Sequence, residues 1–169
     1  MNTASIAKLQ RTTILIFPQF IGLFDIYTNQ IRPLIDVHTL EIEQSLAYSK
    51  PTLFIKNEEK WLLVNNFELY HLLKSPHIDQ KILKQEMLIS DINKEQLKFG
   101  IPFYELIGII AQHKKRLDLK LIYKYLNELL TKETNQQLFG KNIFPITIFC
   151  QLINITEQTY HKRPSENAS

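Results

Sequence analysis

Two apolar, β-rich runs, PTLFIK (51–56) and WLLVNN (61–66), flank the polar tetrapeptide NEEK. Four polar residues are enough to reverse a chain, so the two runs are expected to pair as a hairpin. A lone hairpin is marginal in water and needs further strands or a helix to cover its apolar face. The neighbouring sequence offers both. TTILIF (12–17), β-branched and closed by Pro18, reads as a buried strand. IRPLIDV gives a second short strand, and HTLEIEQSLAYS gives a helix with Thr39 as its cap. FELYHLLKS places Phe67, Leu69, Leu72 and Leu73 at helical intervals and stops at Ser75-Pro76. Residues 1–11 read as a frayed terminus or a short helix. IDQKILKQEMLISDI is ambiguous between a strand and a helix, and a helix or a short strand plus a helix is favoured.

The pattern changes where KFG meets IP, a glycine and a proline together near 98–101. PFYELIGIIAQHKKR opens with proline in its first turn and closes on cations, as a helix should. LDLKLIYKYLNELLTK carries Leu119, Ile122, Tyr123, Leu126, Leu129 and Leu130 on one broad stripe. ETNQQLFGKN is expected to be a polar connector. The fold class implied is α+β, with a mixed domain over 1–98 and a helical part over 99–169.

Charge follows the same division. Residues 1–100 hold 11 Lys/Arg against 11 Asp/Glu, and residues 101–169 hold 9 against 6, so the whole net charge of +3 lies in the helical half. One cysteine, Cys150, rules out an internal disulfide or a cysteine-cluster zinc site and suits a reducing compartment. The apolar stretch TTILIFPQFIGLF holds a proline and a glycine and is too short to span a bilayer. A cytoplasmic location and no membrane partner are expected.

The segment from 145 to 163, PITIFCQLINITEQTYHKR, carries the most specific pattern. A bihelical DNA reader needs a buried face and a small residue on its first helix, a left-handed turn, then a capped second helix with one inward residue and a polar outer face. Phe149 and Ile153 supply the anchors, Cys150 the small residue, Asn154 the turn and Ile155 the corner plug. Thr156 caps the second helix and Tyr160 packs back. The segment resembles the helix-turn-helix pattern of bacterial regulators and of the terminal recognition motifs of some transposases, departing from it at Asn154, where glycine is usual. The resemblance implies that Thr156, Glu157, Gln158, Thr159 and His161 face base edges or the nearest phosphates, and that Lys162 and Arg163 grip the backbone. Lys114, Lys115 and Arg116, the densest cationic run, are either a second phosphate contact or a solvated, dipole-matched helix end. A helical hairpin that merely closes the core would carry the same terminal sequence.

The order helix, strand, loop, strand, helix over EIEQSLAYSKPTLFIKNEEKWLLVNNFELYHLLKS resembles the amino-terminal part of the ParB/sulfiredoxin superfamily. PTLFI corresponds to its first strand, KWLLVNN to its second and FELYHLL to its helix. The family's nucleotide-handling members carry arginines where this chain has Asn66, Phe67, Glu68 and Leu69, and no arginine occurs between residues 33 and 115. Phosphate handling at this helix start needs such donors, and sulfiredoxin chemistry needs a cysteine there, so neither activity carries over. What the resemblance implies is a fold, and the company of a downstream helical DNA-binding part.

Asn66, Glu68 and Tyr70, at a helix start after a strand, are the pocket candidates; a capping carboxylate is the plainer role for Glu68. His38, His71, His77, His113 and His161 show no H-x-x-x-H spacing, so neither a metal nor another cofactor is expected. Glu41 with Glu43 and Glu58 with Glu59 read as solvated faces or loop. No phosphate-binding glycine loop and no nucleophile elbow occurs, and four glycines leave little room for one. The chain is thus expected to be a non-enzymatic protein that binds double-stranded DNA as a homodimer, in plasmid or chromosome partition, replication control or transcription. The alternative is an interaction or immunity-type protein with no nucleic-acid ligand.

Overall fold

The computed structural model describes residues 2–35, 51–56 and 60–163. In chain order the elements are β1 (Asn2–Ser5), α1 (Ile6–Arg11), β2 (Ile14–Ile16), α2 (Ile21–Ile26), β3 (Thr52–Lys56), β4 (Trp61–Leu63), α3 (Phe67–Lys74), α4 (Gln80–Leu83) and β5 (Glu86–Asp91). Then come α5 (Gly100–His113), α6 (Leu119–Leu129), α7 (Lys132–Phe139), α8 (Ile146–Leu152) and α9 (Glu157–Lys162). The protein is α+β. It forms two compact units. The first takes residues up to Ile21 and the described residues between 51 and 102; the second takes Gly22–Ile35 and everything described from Phe103 on.

The first unit is built on a five-stranded mixed sheet of order β1-β5-β3-β4-β2. The expected hairpin is there: β3 and β4 are antiparallel, with Phe54 opposite Leu63 and Lys56 opposite Trp61. β5 runs parallel to β3 and β2 parallel to β4, while β1 closes the far edge antiparallel to β5. Period-two alternation sends Phe54, Leu63, Met87 and Ile89 to one face, where Ile6 and Leu9 of α1 and Leu69, Leu72 and Leu73 of α3 cover them. α1 starts at Ser5, whose hydroxyl accepts from the Lys8 amide.

Several expectations are corrected. Of the two readings of residues 1–11, the short helix holds as α1 and the frayed terminus does not, because Asn2–Ser5 pairs with Glu86–Ile89 as an edge strand. TTILIF is only partly buried: β2 lies at the opposite edge and leaves Leu15 41% exposed. Residues 78–92 form a short helix and a strand, so the mixed reading holds and the all-helical one does not, since Met87 and Ile89 fill the sheet face beside β3. The strand expected in IRPLIDV is absent over 31–35, where a π turn (Tyr27–Ile31) passes into a 3-10 turn (Arg32–Leu34). Residues 36 and 37 of that run, the helix expected over HTLEIEQSLAYS with its Thr39 cap, and most of the NEEK loop lie outside the described residues.

The second unit is helical. α5 buries Phe103, Leu106, Ile107 and Ile110, a full i, i+3, i+4, i+7 stripe, and α6 buries Leu119, Ile122 and Leu126. The Asp118 carboxylate caps α6 by accepting from the amides of Lys120 and Leu121. Gly22 of α2 meets Leu129 of α6 so closely that any side chain at 22 would collide with it. That contact ties residues 22–35 to the helices, although they lie on the other side of the expected 98–101 boundary. ETNQQLFGKN is not a connector but mostly α7, capped by Thr131 and ended by Gly140 in the left-handed conformation (φ 64°).

Candidate nucleic-acid interface

The terminal pair α8 and α9 is seated by aromatic packing. Phe144, Phe149 and Ile153 are fully buried, and Tyr160 is 5% exposed. The Phe149 and Tyr160 rings meet edge to face at 6.2 Å, and Tyr123 of α6 lies against both. The Tyr123 hydroxyl donates to the Phe144 carbonyl at 2.7 Å, anchoring α6 to the entry of α8. Burial pushes the Tyr160 phenol up to about 12, with Tyr123, Cys150 and Asp118 adding to it. Burial also raises the Tyr123 phenol and the Cys150 thiol, so all three are protonated at neutral pH.

The turn between the two helices is left-handed. Asn154 has φ 56°, the Asn154 amide donates to the Gln151 carbonyl, and the Ile155 amide donates to the Cys150 carbonyl. This is the Schellman arrangement that usually carries glycine, with asparagine in its place. α9 then opens at Thr156, whose hydroxyl accepts from the Thr159 amide at 3.1 Å and pairs with the Thr159 hydroxyl at 2.8 Å.

The outer face of α9 is polar and open: Thr156, Glu157, Gln158, Thr159, His161 and Lys162 are all exposed. Two of the six, Thr156 and Thr159, already spend their hydroxyls on the cap. Pro164 disfavours helical backbone at the residue before it, and Arg163 is extended (φ −71°, ψ 130°), so α9 ends after six residues. Its reach is therefore about 9 Å.

Cations gather around this hairpin from the turn after α5 and from α6. The Lys114 ammonium lies 3.0 Å from both the Ile153 and the Asn154 carbonyls, and the Arg163 guanidinium donates to the Lys114 carbonyl. The Lys120 ammonium reaches the His161 carbonyl at 3.4 Å. Lys115 and Arg116, on the same corner, are exposed. The expected cationic run thus sits beside α9, but Lys114 is half-buried with its ammonium directed inward. Lys120 is a participant the sequence pattern did not single out.

In the first unit Asn66 is 4% exposed, has φ 62°, and donates its side-chain amide to the Thr52 hydroxyl at 2.9 Å. Glu68 is buried as well, and Tyr70 is half-buried under the Lys74 ammonium. Tyr70 packs against the core that α3 forms with the sheet. An open cleft of about 540 Å³ in this unit is lined by Ile55, Lys56, Asp91, Ile92, Asn93, Lys94 and Gln96. Among the described residues no cluster of three or more His, Cys, Asp or Glu could hold a metal ion, and no helix is long and apolar enough to cross a membrane. Comparison with protein families, curated proteins and solved structures returned no match.

Proposed function

We propose that the chain is a non-enzymatic DNA-binding protein that contacts a duplex through α9. The observation that carries the reading is the left-handed turn at Asn154, which joins two helices packed through Phe149, Ile153 and Tyr160 and leaves Glu157, Gln158, His161 and Lys162 outward. A hairpin that only closed a core would also turn a polar face outward; what favours DNA is that this face is bordered by the exposed cations Lys115, Arg116 and Lys162. Those cations supply sequence-independent attraction to phosphate, and the amide and imidazole tips of Gln158 and His161 supply hydrogen bonds to base edges. Six residues of helix address few base pairs, so useful specificity calls for a homodimer on a repeated half-site. The sequence resemblance of residues 41–75 to the ParB/sulfiredoxin superfamily favours a role in partition, replication or transcription control.

The reading is tested by selecting duplexes from a randomised pool with the purified chain. A repeated short half-site should emerge, and Gln158→Ala should relax preference at one position within it while leaving overall binding in place. A pool that stays random after repeated rounds removes the sequence-reading role.

A further inference from the structure

With α9 read as the DNA-contacting helix, its angle to the rest of the helical unit becomes the quantity that matters. We infer that Lys114 is a positioning residue for α9, its ammonium clamping the turn that precedes the helix rather than gripping phosphate. The Ile153 and Asn154 carbonyls belong to the two peptide planes on either side of the Asn154 Cα. In extended backbone successive carbonyls point in opposite directions, whereas in helical backbone of either hand they point the same way. A single ammonium 3.0 Å from both oxygens therefore holds Asn154 away from extended backbone, while the amide bonds of Asn154 and Ile155 to the Gln151 and Cys150 carbonyls set the left-handed form. It also neutralises the negative end of α8, where the last carbonyls accumulate.

The same residue holds the other end of the helix. Arg163, the first residue after α9, donates its guanidinium to the Lys114 carbonyl. So α9 is fixed before its first turn by the Lys114 side chain and after its last turn by the Lys114 main chain, across 39 to 49 residues of sequence. Two of the three ammonium donors are spent in this way. Phosphate attraction falls to Lys115, Arg116 and Lys162, which are exposed.

The test has two arms. Amide exchange by NMR at Asn154 and Ile155 reads the clamp directly and needs no DNA. Lys114→Met should speed exchange at these two amides about tenfold, while Lys114→Arg, which keeps a charged donor, should stay within about twofold of wild type. Binding to a generic duplex over a salt series reads the consequence. Lys114→Met should weaken binding about tenfold yet leave the slope of log K against log salt unchanged, whereas Lys162→Met should reduce that slope by about one. A slope loss of about one in Lys114→Met, unchanged exchange in Lys114→Met, or exchange in Lys114→Arg as fast as in Lys114→Met each overturns the inference. If wild type shows no salt-dependent binding, the proposed function fails, and the exchange arm alone then judges the clamp. Should Lys114→Met not fold, Lys114→Gln, with one neutral donor group, takes its place under the same criteria.

Discussion

Asn154 offers the cleanest perturbation, because its side chain is exposed and only its backbone is unusual (φ 56°). Placing an ordinary L-residue in the left-handed region costs about 1–2 kcal/mol, and asparagine lowers that cost by bonding locally. Asn154→Ala should therefore destabilise the helical unit by about 1 kcal/mol, and Asn154→Val, with its branched Cβ, by about 2 kcal/mol. Asn154→Gly relieves the strain but frees the unfolded chain, two effects of similar size, so it should fall within about 0.5 kcal/mol of wild type. For a domain of this size each kcal/mol moves the melting temperature by about 4–8 °C. Circular dichroism melts should then rank wild type and Gly together, Ala about 5 °C lower and Val about 10 °C lower. An alanine variant as stable as wild type, or a glycine variant less stable than alanine, would refute the argument that a left-handed turn joins α8 to α9.

Asn66, also left-handed (φ 62°) but buried and bonded to Thr52, should be costlier: Asn66→Ala loses about 2–3 kcal/mol in urea denaturation, and a loss under 1 kcal/mol contradicts the buried bond. The Tyr160 phenol, raised from 10.0 to about 12, gives folding a preference for the protonated form that is fully present below pH 10 and disappears as pH rises toward 12. Tyr160→Phe should accordingly flatten the loss of stability over that range, and an unchanged alkaline profile would show the phenol to be solvated. Burial also keeps the Cys150 thiol protonated, so an aromatic disulfide reagent should label the native chain only as fast as it opens and label it promptly in denaturant. Prompt labelling without denaturant would place Cys150 at the surface.

What the sequence made legible were features written in local chemistry. The β3–β4 hairpin follows from two apolar runs about a polar loop, and the Asn154 turn with its Thr156 cap follows from residue types at adjacent positions. β1 escaped because NTAS has neither β-branched alternation nor bulk; its strand character comes from pairing with β5, over eighty residues away. β5 was ambiguous because Met87 and Ile89 alternate within a stretch that also suits a helix. α7 was missed for its polar composition, although Thr131 and Gly140 are ordinary helix boundaries. The inward turn of Lys114 could not be read at all. A lysine at a helix end looks the same whether its ammonium meets water, phosphate or the carbonyls of a turn 39 residues further on.

The central claim is that the exposed cations around α9 meet a polyanionic duplex. The most direct measurement is the slope of log K against log salt for wild type and for the Lys115→Ala, Arg116→Ala, Lys162→Ala triple variant on one generic duplex. Wild type should lose affinity steeply with salt, and the triple variant should bind more weakly with a slope shallower by about two to three. Equal affinity and equal slope in the two proteins would contradict the account.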